Sequence, residues 1–274
     1  MGITSTLSIA AQAMKAQQLA IQTTGHNLAN VATPGFSRQR VDLASAHPSF
    51  EGGVILGQGV AVAAVRRMVD RFTEAELLSL HGTVGFSDAQ NQALASIQEI
   101  FPTSGGIEAA LSAFFGALSD LANNPAGLTE RVSVIGKAGA LGASLAQTRQ
   151  SMTAVQQNLD EDIQSSVQRV NLLADQIAAL NTQISATETG GETANDFRDQ
   201  RQTLLQELTS LTGAAVREDP DGQVNVSVGG LLLVGGARFA SLQSDTLNAA
   251  GLHTITYQTP DRLSYDATAQ FTVG

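Results

Sequence analysis

The sequence predicts a mainly α fold with β segments: an elongated, multi-domain α+β molecule organised around a long helical bundle or coiled-coil rod. Three observations carry this reading. Apolar residues recur at helical spacing from Ile3 to Val31, no proline occurs between Leu128 and Ala186, and the pattern turns to strand-like alternation after Ala214. Composition points the same way, because aromatic residues make up only 4% of the chain and tryptophan is absent, which suits thin helical seams better than a thick globular core. The 274 residues divide into an N-terminal core helix and turn (1–35), short strands or an extended arm (36–68), a helical rod domain (69–213) and a β domain expected to be incomplete (214–274).

The first element is a helix. Ile3, Leu7, Ala10, Met14, Gln17, Ile21, Thr24, Leu28 and Val31 alternate steps of four and three, a coiled-coil seam with two polar interruptions. Spacing alone leaves two readings open, docking of the helix on its own domain or an interface with another subunit. The helix stops at Asn27–Asn30, and Thr33-Pro34-Gly35-Phe36 follows. Pro34 fixes φ and Gly35 takes a positive φ cheaply, so a type II turn is expected there. Val41 and Leu43 then alternate with polar neighbours, and Gly52, Gly53, Gly57 and Gly59 punctuate an apolar run, giving two or three short strands or an extended arm.

Helical periodicity returns from Val69 to Phe101 and is broken by Pro102, Gly105 and Gly106; a further helix fits Ile107 to Leu121. From Leu128 to Ala186 a continuous helix would be about 90 Å long. Gly136, Gly139 and Gly142 each weaken it by about 1 kcal/mol relative to alanine and are expected at close helix packing or a bend. Ala194 to Leu211 reads as the next helix, and its Asp196, Arg198, Asp199 and Arg201 read as salt-bridged surface rather than a catalytic acid–base pair. Beyond it, strands are expected at Ala215–Glu218, Val224–Val228, Leu231–Val234, Phe239–Leu242, His253–Gln258 and Ala269–Val273, with a turn at Asp219-Pro220-Asp221-Gly222.

The net charge of −10 is unevenly spread, with Arg38, Arg40, Arg66, Arg67 and Arg71 gathered in the N-terminal quarter of an otherwise acidic chain. These arginines are either ordinary surface residues or a patch for electrostatic docking onto neighbouring subunits. Nucleic-acid binding is disfavoured, since the cluster is small and has few aromatics beside it. There is no cysteine, hence no disulfide, zinc–thiolate site or thiol nucleophile. No apolar run approaches the length of a transmembrane helix, and the N-terminus lacks the pattern of a cleavable signal. His26, His47, His81 and His253 are scattered, without H-E-x-x-H, G-x-S-x-G or phosphate-loop spacing, so no catalytic residue, cofactor or metal site is expected.

The segment NLANVATPGFSRQR at Asn27–Arg40 resembles the N-terminal motif of the bacterial flagellar rod, hook and hook-associated axial proteins, with Phe36 where tyrosine is commoner. A second similar segment is GQGVAVAAVRRMVDRF, through Gly57, Gly59, Val60, Val62, Arg67, Asp70 and Phe72. NDFRDQR at Asn195–Arg201, VNLLADQIAALNTQI at Val170–Ile184 and IEAALSAFFGALSDLANNP at Ile107–Pro125 narrow the likeness to the hook-associated branch of that family. The resemblance implies a structural subunit at the junction of hook and filament, exported without signal cleavage by the flagellar export apparatus to the cell exterior. Its implied partners are itself in a ring or helical lattice, the hook protein and the next protein of the junction. No nucleic acid, membrane insertion or cofactor is implied.

Leu7, Met14, Ile21 and Leu28 are then the expected subunit-interface residues of the core helix, with Asn27, Asn30, Thr33, Pro34, Gly35, Phe36 and Arg38 at the corner. Members of the family return with a C-terminal helix pair, yet nothing after Gly213 has sustained helical periodicity. A fragment is expected, ahead of a truncated reading frame or a divergent short form, and the seam is expected to be mobile in an isolated monomer. The alternatives are another axial rod or hook subunit, a coiled-coil adhesin or signalling protein, which leaves the corner unexplained, and a secreted hydrolase, for which no acidic cleft is evident.

Overall fold

The computed structural model describes residues 3–51, 53–101 and 105–271. The α+β class holds. Among the described residues five α-helices run α1 (Ile3–Ala29), α2 (Arg71–Ile100), α3 (Gly106–Asn123), α4 (Leu128–Thr189) and α5 (Asn195–Thr212). Between α1 and α2 lie β1 (Gln39–Ser45), β2 (Ser49–Glu51), β3 (Val54–Leu56) and β4 (Val60–Arg67). After α5 come β5 (Ala215–Glu218), β6 (Val224–Val228), β7 (Leu231–Gly235), β8 (Arg238–Phe239), β9 (Ser241–Leu247), β10 (His253–Gln258), β11 (Ser264–Asp266) and a 3₁₀ turn at Thr268–Phe271. Among the described residues no helix is long and apolar enough to cross a membrane.

The chain forms two compact units. One comprises Met1–Gly85, Arg169–Leu242 and Thr256–Gly274, and the other Phe86–Gln168 with Gln243–Ile255. The first holds most of the buried core. Val170, Leu173, Ile177 and Ile184 on the C-terminal part of α4 are buried at helical spacing, as are Leu205 and Leu208 of α5 and Val226, Leu233 and Val234 of the sheet β5-β6-β7-β8. Strand β6 alternates strictly, with Val224, Val226 and Val228 buried between half-exposed Asn225 and Ser227.

Asn181, fully buried in this core, uses its whole amide. It donates to the carbonyls of Val224 (2.9 Å) and Gly236 (2.7 Å), and its oxygen accepts from the Val224 N–H (3.1 Å) and from Arg201 Nη1 (2.8 Å). Arg201 also donates to the Gly222 carbonyl at 2.7 Å, which pins the β5–β6 turn against the helices. Burial pushes the Arg201 guanidinium down to about 10, so it is still charged near neutrality. The neighbouring Arg198 joins Glu188 at the end of α4 to Glu218 on β5.

In the second unit the described residues of α2, α3 and α4 bury little beyond Ala117 and Val167. There, Asp160 on α4 accepts from the His253 backbone N–H (2.9 Å) and contacts the His253 ring Nδ1 at 2.5 Å. The histidine contact holds the Asp160 carboxyl below the usual carboxylate range.

Several elements depart from the sequence-based expectation. Gly136, Gly139 and Gly142 mark neither a break in α4 nor a close contact: a Cβ at any of them would meet open space. The strand expected at Phe239–Leu242 is two strands, because Ala240 turns its N–H to the Leu233 carbonyl between β8 and β9. β11 was not expected, and the described part of Ala269–Val273 is a 3₁₀ turn; Thr272 and Val273 lie outside the described residues, as do Gly52 and the break at Pro102.

Glu188 and Glu207 are held below the ordinary carboxylate range, first of all by hydrogen bonds from Arg198 and Arg169 respectively. A carboxyl whose pKa is lower folded than unfolded stabilises the fold above its unfolded value, about 4.3 for glutamate, and loses that contribution as pH falls through the folded value. Urea-unfolding midpoints measured from pH 6 to pH 3 (about the range that spans both states) are therefore expected to fall with acidity. Glu188→Gln is expected to start lower and fall less steeply, and parallel curves would show that this pair carries no proton linkage.

Candidate functional site: the N-terminal corner and its seat

Helix α1 has two unlike faces. Ile9, Ala13, Ala16, Ala20, Thr23, Asn27 and Asn30 are buried or half-buried, whereas Ile3, Leu7, Ala10, Met14, Gln17, Ile21, Thr24, Leu28 and Val31 are all exposed. The small-residue stripe packs on β1 and β4, close enough that a Cβ on Gly59 would stand 2.8 Å from Ile9 Cγ2. Both readings left open by the spacing thus have a face of their own: the helix docks on its own body through alanines, and the apolar seam has no partner among the described residues.

At its C-terminal end α1 is fastened by Asn27. Its Nδ2 donates to the Gln39 carbonyl and its Oδ1 accepts from the Gln39 N–H, both at 2.8 Å, as a neighbouring strand would. Asn30 donates to the His26 carbonyl at 3.0 Å and accepts from Thr33 Oγ1 at 3.2 Å, capping the last turn. The type II turn follows as expected: Phe36 N–H reaches the Thr33 carbonyl at 3.2 Å, and Gly35 has φ +78°. The His26 ring meets Phe36 edge-on at 5.3 Å, and its Nε2 lies 3.4 Å from Asp196 Oδ1.

The corner sits on the first turns of α5. Asp199, 6% exposed, accepts from the Ser37 N–H at 2.9 Å, and its other oxygen pairs with Arg67 Nε at 2.7 Å. Arg67 also reaches Glu74 at the start of α2 (3.0 Å) and Ser37 Oγ (3.3 Å). Gln39 donates to Asp196 at 2.7 Å, and Asn195 donates to the Val65 carbonyl at 2.8 Å. The expectation that Asp199 and Arg201 lie on a salt-bridged surface is overturned for both, since each is buried and engaged across elements. Asp199 and Arg67 stand 132 positions apart in the chain, and no local spacing could have paired them.

Strand alternation sorts the arginines. Gln39, Val41, Val65 and Arg67 face inward on the β1–β4 ladder, and Arg38, Arg40, Arg66 and Met68 are exposed. Arg67 therefore belongs to the seat and not to any docking patch. Beside the turn a cleft of about 240 Å³ is lined by His26, Asn30, Pro34, Phe36, Asp196 and Thr203. Among the described residues no group of three or more His, Cys, Asp or Glu side chains could hold a metal ion.

Two of the stretches that meet here, the end of α1 with its turn and the start of α5, fall within models of known protein families. The model of the flagellar hook-associated protein FlgK helical domain matches residues 94–274, and that of the flagella basal body rod protein matches residues 7–36. The chain belongs to the FlgK family of flagellar hook-associated proteins. Flagellar hook-associated protein 1 of Bacillus subtilis is 31% identical over 225 residues, covering 79% of this chain and 44% of that protein. The protein of the same name from Salmonella typhimurium is 30% identical over 239 residues, covering 86% and 43%. The chain thus spans less than half the length of these curated relatives. A solved structure of the flagellar hook junction protein FlgK from Burkholderia pseudomallei shares the fold, with a TM-score of 0.59 and 22% identity over 74% of this chain and 35% of that one. In this FlgK-family chain the basal-body-rod match covers α1 and the corner, and the FlgK match contains the α5 seat.

Gly35→Ala combines positive φ with a Cβ 2.2 Å from Thr203 Oγ1, so a loss of about 2–3 kcal/mol is expected in equilibrium unfolding. Adding Thr203→Ala removes the clash but not the backbone strain, and recovery to within about 1–2 kcal/mol of the starting protein is expected. Full recovery would mean that the αL conformation costs nothing here. Asp199→Ala leaves the buried Arg67 with Glu74 alone and the Ser37 N–H without its acceptor, and is expected to cost about 2–4 kcal/mol in the same measurement.

Proposed function

We propose that this chain is a structural subunit of the bacterial flagellum, an adaptor that joins hook to filament and is needed for filament assembly and motility. The observation that carries the reading is an exposed heptad seam on a helix whose exit is fixed by its own body. Leu7, Met14, Ile21 and Leu28 are 68–74% exposed, while the corner below them is locked by Asn27, the Thr33–Phe36 turn and Asp199. A seam of this kind is built to pack against further helices, and the assembly reading takes those from neighbouring subunits. The names of the relatives, hook-associated protein 1 and hook junction protein, support the same place in the flagellum.

In this reading subunits stack through heterologous contacts in a ring or helical lattice, with the α1 helices forming the inner core. Asn27, Asn30, Thr33, Pro34, Gly35, Phe36 and Arg38 set the angle between that core and the outer parts. Four segments divide the labour: core helix and turn (1–35), strand arm (36–68), helical rod (69–213) and β domain (214–274). The hook protein lies on one side, the next junction protein on the other, and the subunit reaches the cell exterior through the flagellar export apparatus without signal cleavage. Its work is mechanical and requires no catalysis, nucleic acid or membrane insertion. The runner-up, another axial rod or hook subunit, is favoured by the basal-body-rod match at residues 7–36, but that match ends at the corner, whereas the FlgK model matches residues 94–274.

Leu7→Glu with Met14→Glu touches no buried contact, so the stability of the isolated chain is expected to change by less than about 0.5 kcal/mol. In cells dependent on the protein the same pair is expected to leave hooks without filaments, seen by electron microscopy. Normal filaments on the double variant, or on a strain lacking the protein altogether, would reject the junction role.

A further inference from the structure

The outward face of the β1–β4 ladder is more basic than its fold requires. Arg40 lies directly across from Arg66, and both side chains are largely exposed. Like charges opposed on a ladder destabilise it. Asp42 serves both, at 3.0 Å from Arg40 and 3.4 Å from Arg66, so one carboxylate meets two guanidinium groups. Arg38, two residues before Arg40 on the same side, has no ion pair among the described residues, and Met68 beside it is 41% exposed. Arg67 on the inward side shows what a structural arginine looks like here, since it has two carboxylates of its own.

The chain also carries the complement. The unit of Phe86–Gln168 and Gln243–Ile255 has nine acidic residues against three basic ones, and one of those three, Arg131, is spent on the Pro125 carbonyl. We propose that the Arg38–Arg40–Arg66 face docks on this acidic helical unit of a second copy of the chain. The inference rests on the assembly reading above and names one of its contacts, separate from the α1 seam. Unlike surfaces meet in such a contact, so it is heterologous and propagates from copy to copy as a lattice requires. A nucleic acid or an anionic membrane meets the same arginines but is repelled by a net charge of −10.

The test places a photo-reactive amino acid at Met68 in flagellated cells that make two differently tagged copies of the full chain. Mass spectrometry of the cross-linked peptides identifies the partner. The expected result is adducts joining the two tags, with the acceptor peptide inside residues 86–168 or 243–255. Arg40→Gln with Arg66→Gln is expected to cut their yield by about tenfold, as two or three exposed ion pairs allow, while thermal unfolding stays unchanged. Adducts confined to another protein or to other regions of the chain, or a yield indifferent to the double substitution in a folded protein, would overturn the proposal. Filament growth is read separately: hooks that take up the unsubstituted chain but grow no filament reject the junction role, and the cross-link map on those hooks still decides the docking surface.

Discussion

A single buried carboxylate organises the N-terminal part of this molecule. Asp199 is taken out of water at the start of α5, which is tolerable only if both oxygens find strong partners. One accepts from the backbone N–H of Ser37, directly after the turn, and the other pairs with Arg67 at the end of β4. Each partner pulls a different stretch of chain to the same point, and Arg67 extends the link to Glu74 on α2. The exit of α1, the β1–β4 ladder and the start of α2 are all positioned by where α5 holds that side chain. Three distant stretches of sequence converge there because none can satisfy its charged or polar groups alone.

Around this pair a second device recurs, the asparagine that imitates a strand. Asn27 binds both the N–H and the carbonyl of Gln39, Asn171 does so at Leu242 (2.8 and 2.7 Å), and Asn181 at Val224. In each case a helix meets the backbone of a residue at or near a strand end. The ladder bonds that run out there are replaced by a side-chain amide of the same geometry. A clamp of two hydrogen bonds fixes helix position along the strand as well as distance from it, which apolar packing alone does less sharply. Apolar contact supplies the bulk of the burial along α4 and β6, and the amides select the register.

Helices and the corner were legible in the sequence because their causes are local. The bounds of α4 and α5 follow from periodicity and breakers, and Pro34-Gly35 dictates its turn by covalent geometry and φ alone. What sequence reasoning missed was long-range or depended on which face wins. Asp199 and Arg201 sit among charged neighbours on a helix and read as surface; only the arrival of Arg67 and Asn181 from elsewhere makes their burial possible. The alanine stripe of α1 was invisible beside the stronger apolar seam, although Ala13, Ala16 and Ala20 keep the same alternation of spacing. Gly136, Gly139 and Gly142 suggested close packing that does not occur, since a glycine in a long helix has a cost but no necessary neighbour.

The division of α1 into a small inward face and a large outward one has an energetic consequence for the proposed assembly. Burying a leucine, isoleucine or methionine fully is worth about 1.5–3 kcal/mol, so Leu7, Met14, Ile21 and Leu28 together offer on the order of 6–12 kcal/mol. Association costs on the order of 4–15 kcal/mol in lost freedom before any side chain is ordered. One neighbour is therefore barely enough, and several neighbours at once, as at a growing tip, turn the balance. The corner lowers that threshold. Because Pro34, Gly35 and the Asp199 pair already hold the exit direction of the helix, little conformational entropy remains to be lost there on docking. In the proposed assembly, a chain built this way pairs weakly in solution and adds where a multi-helix socket already exists.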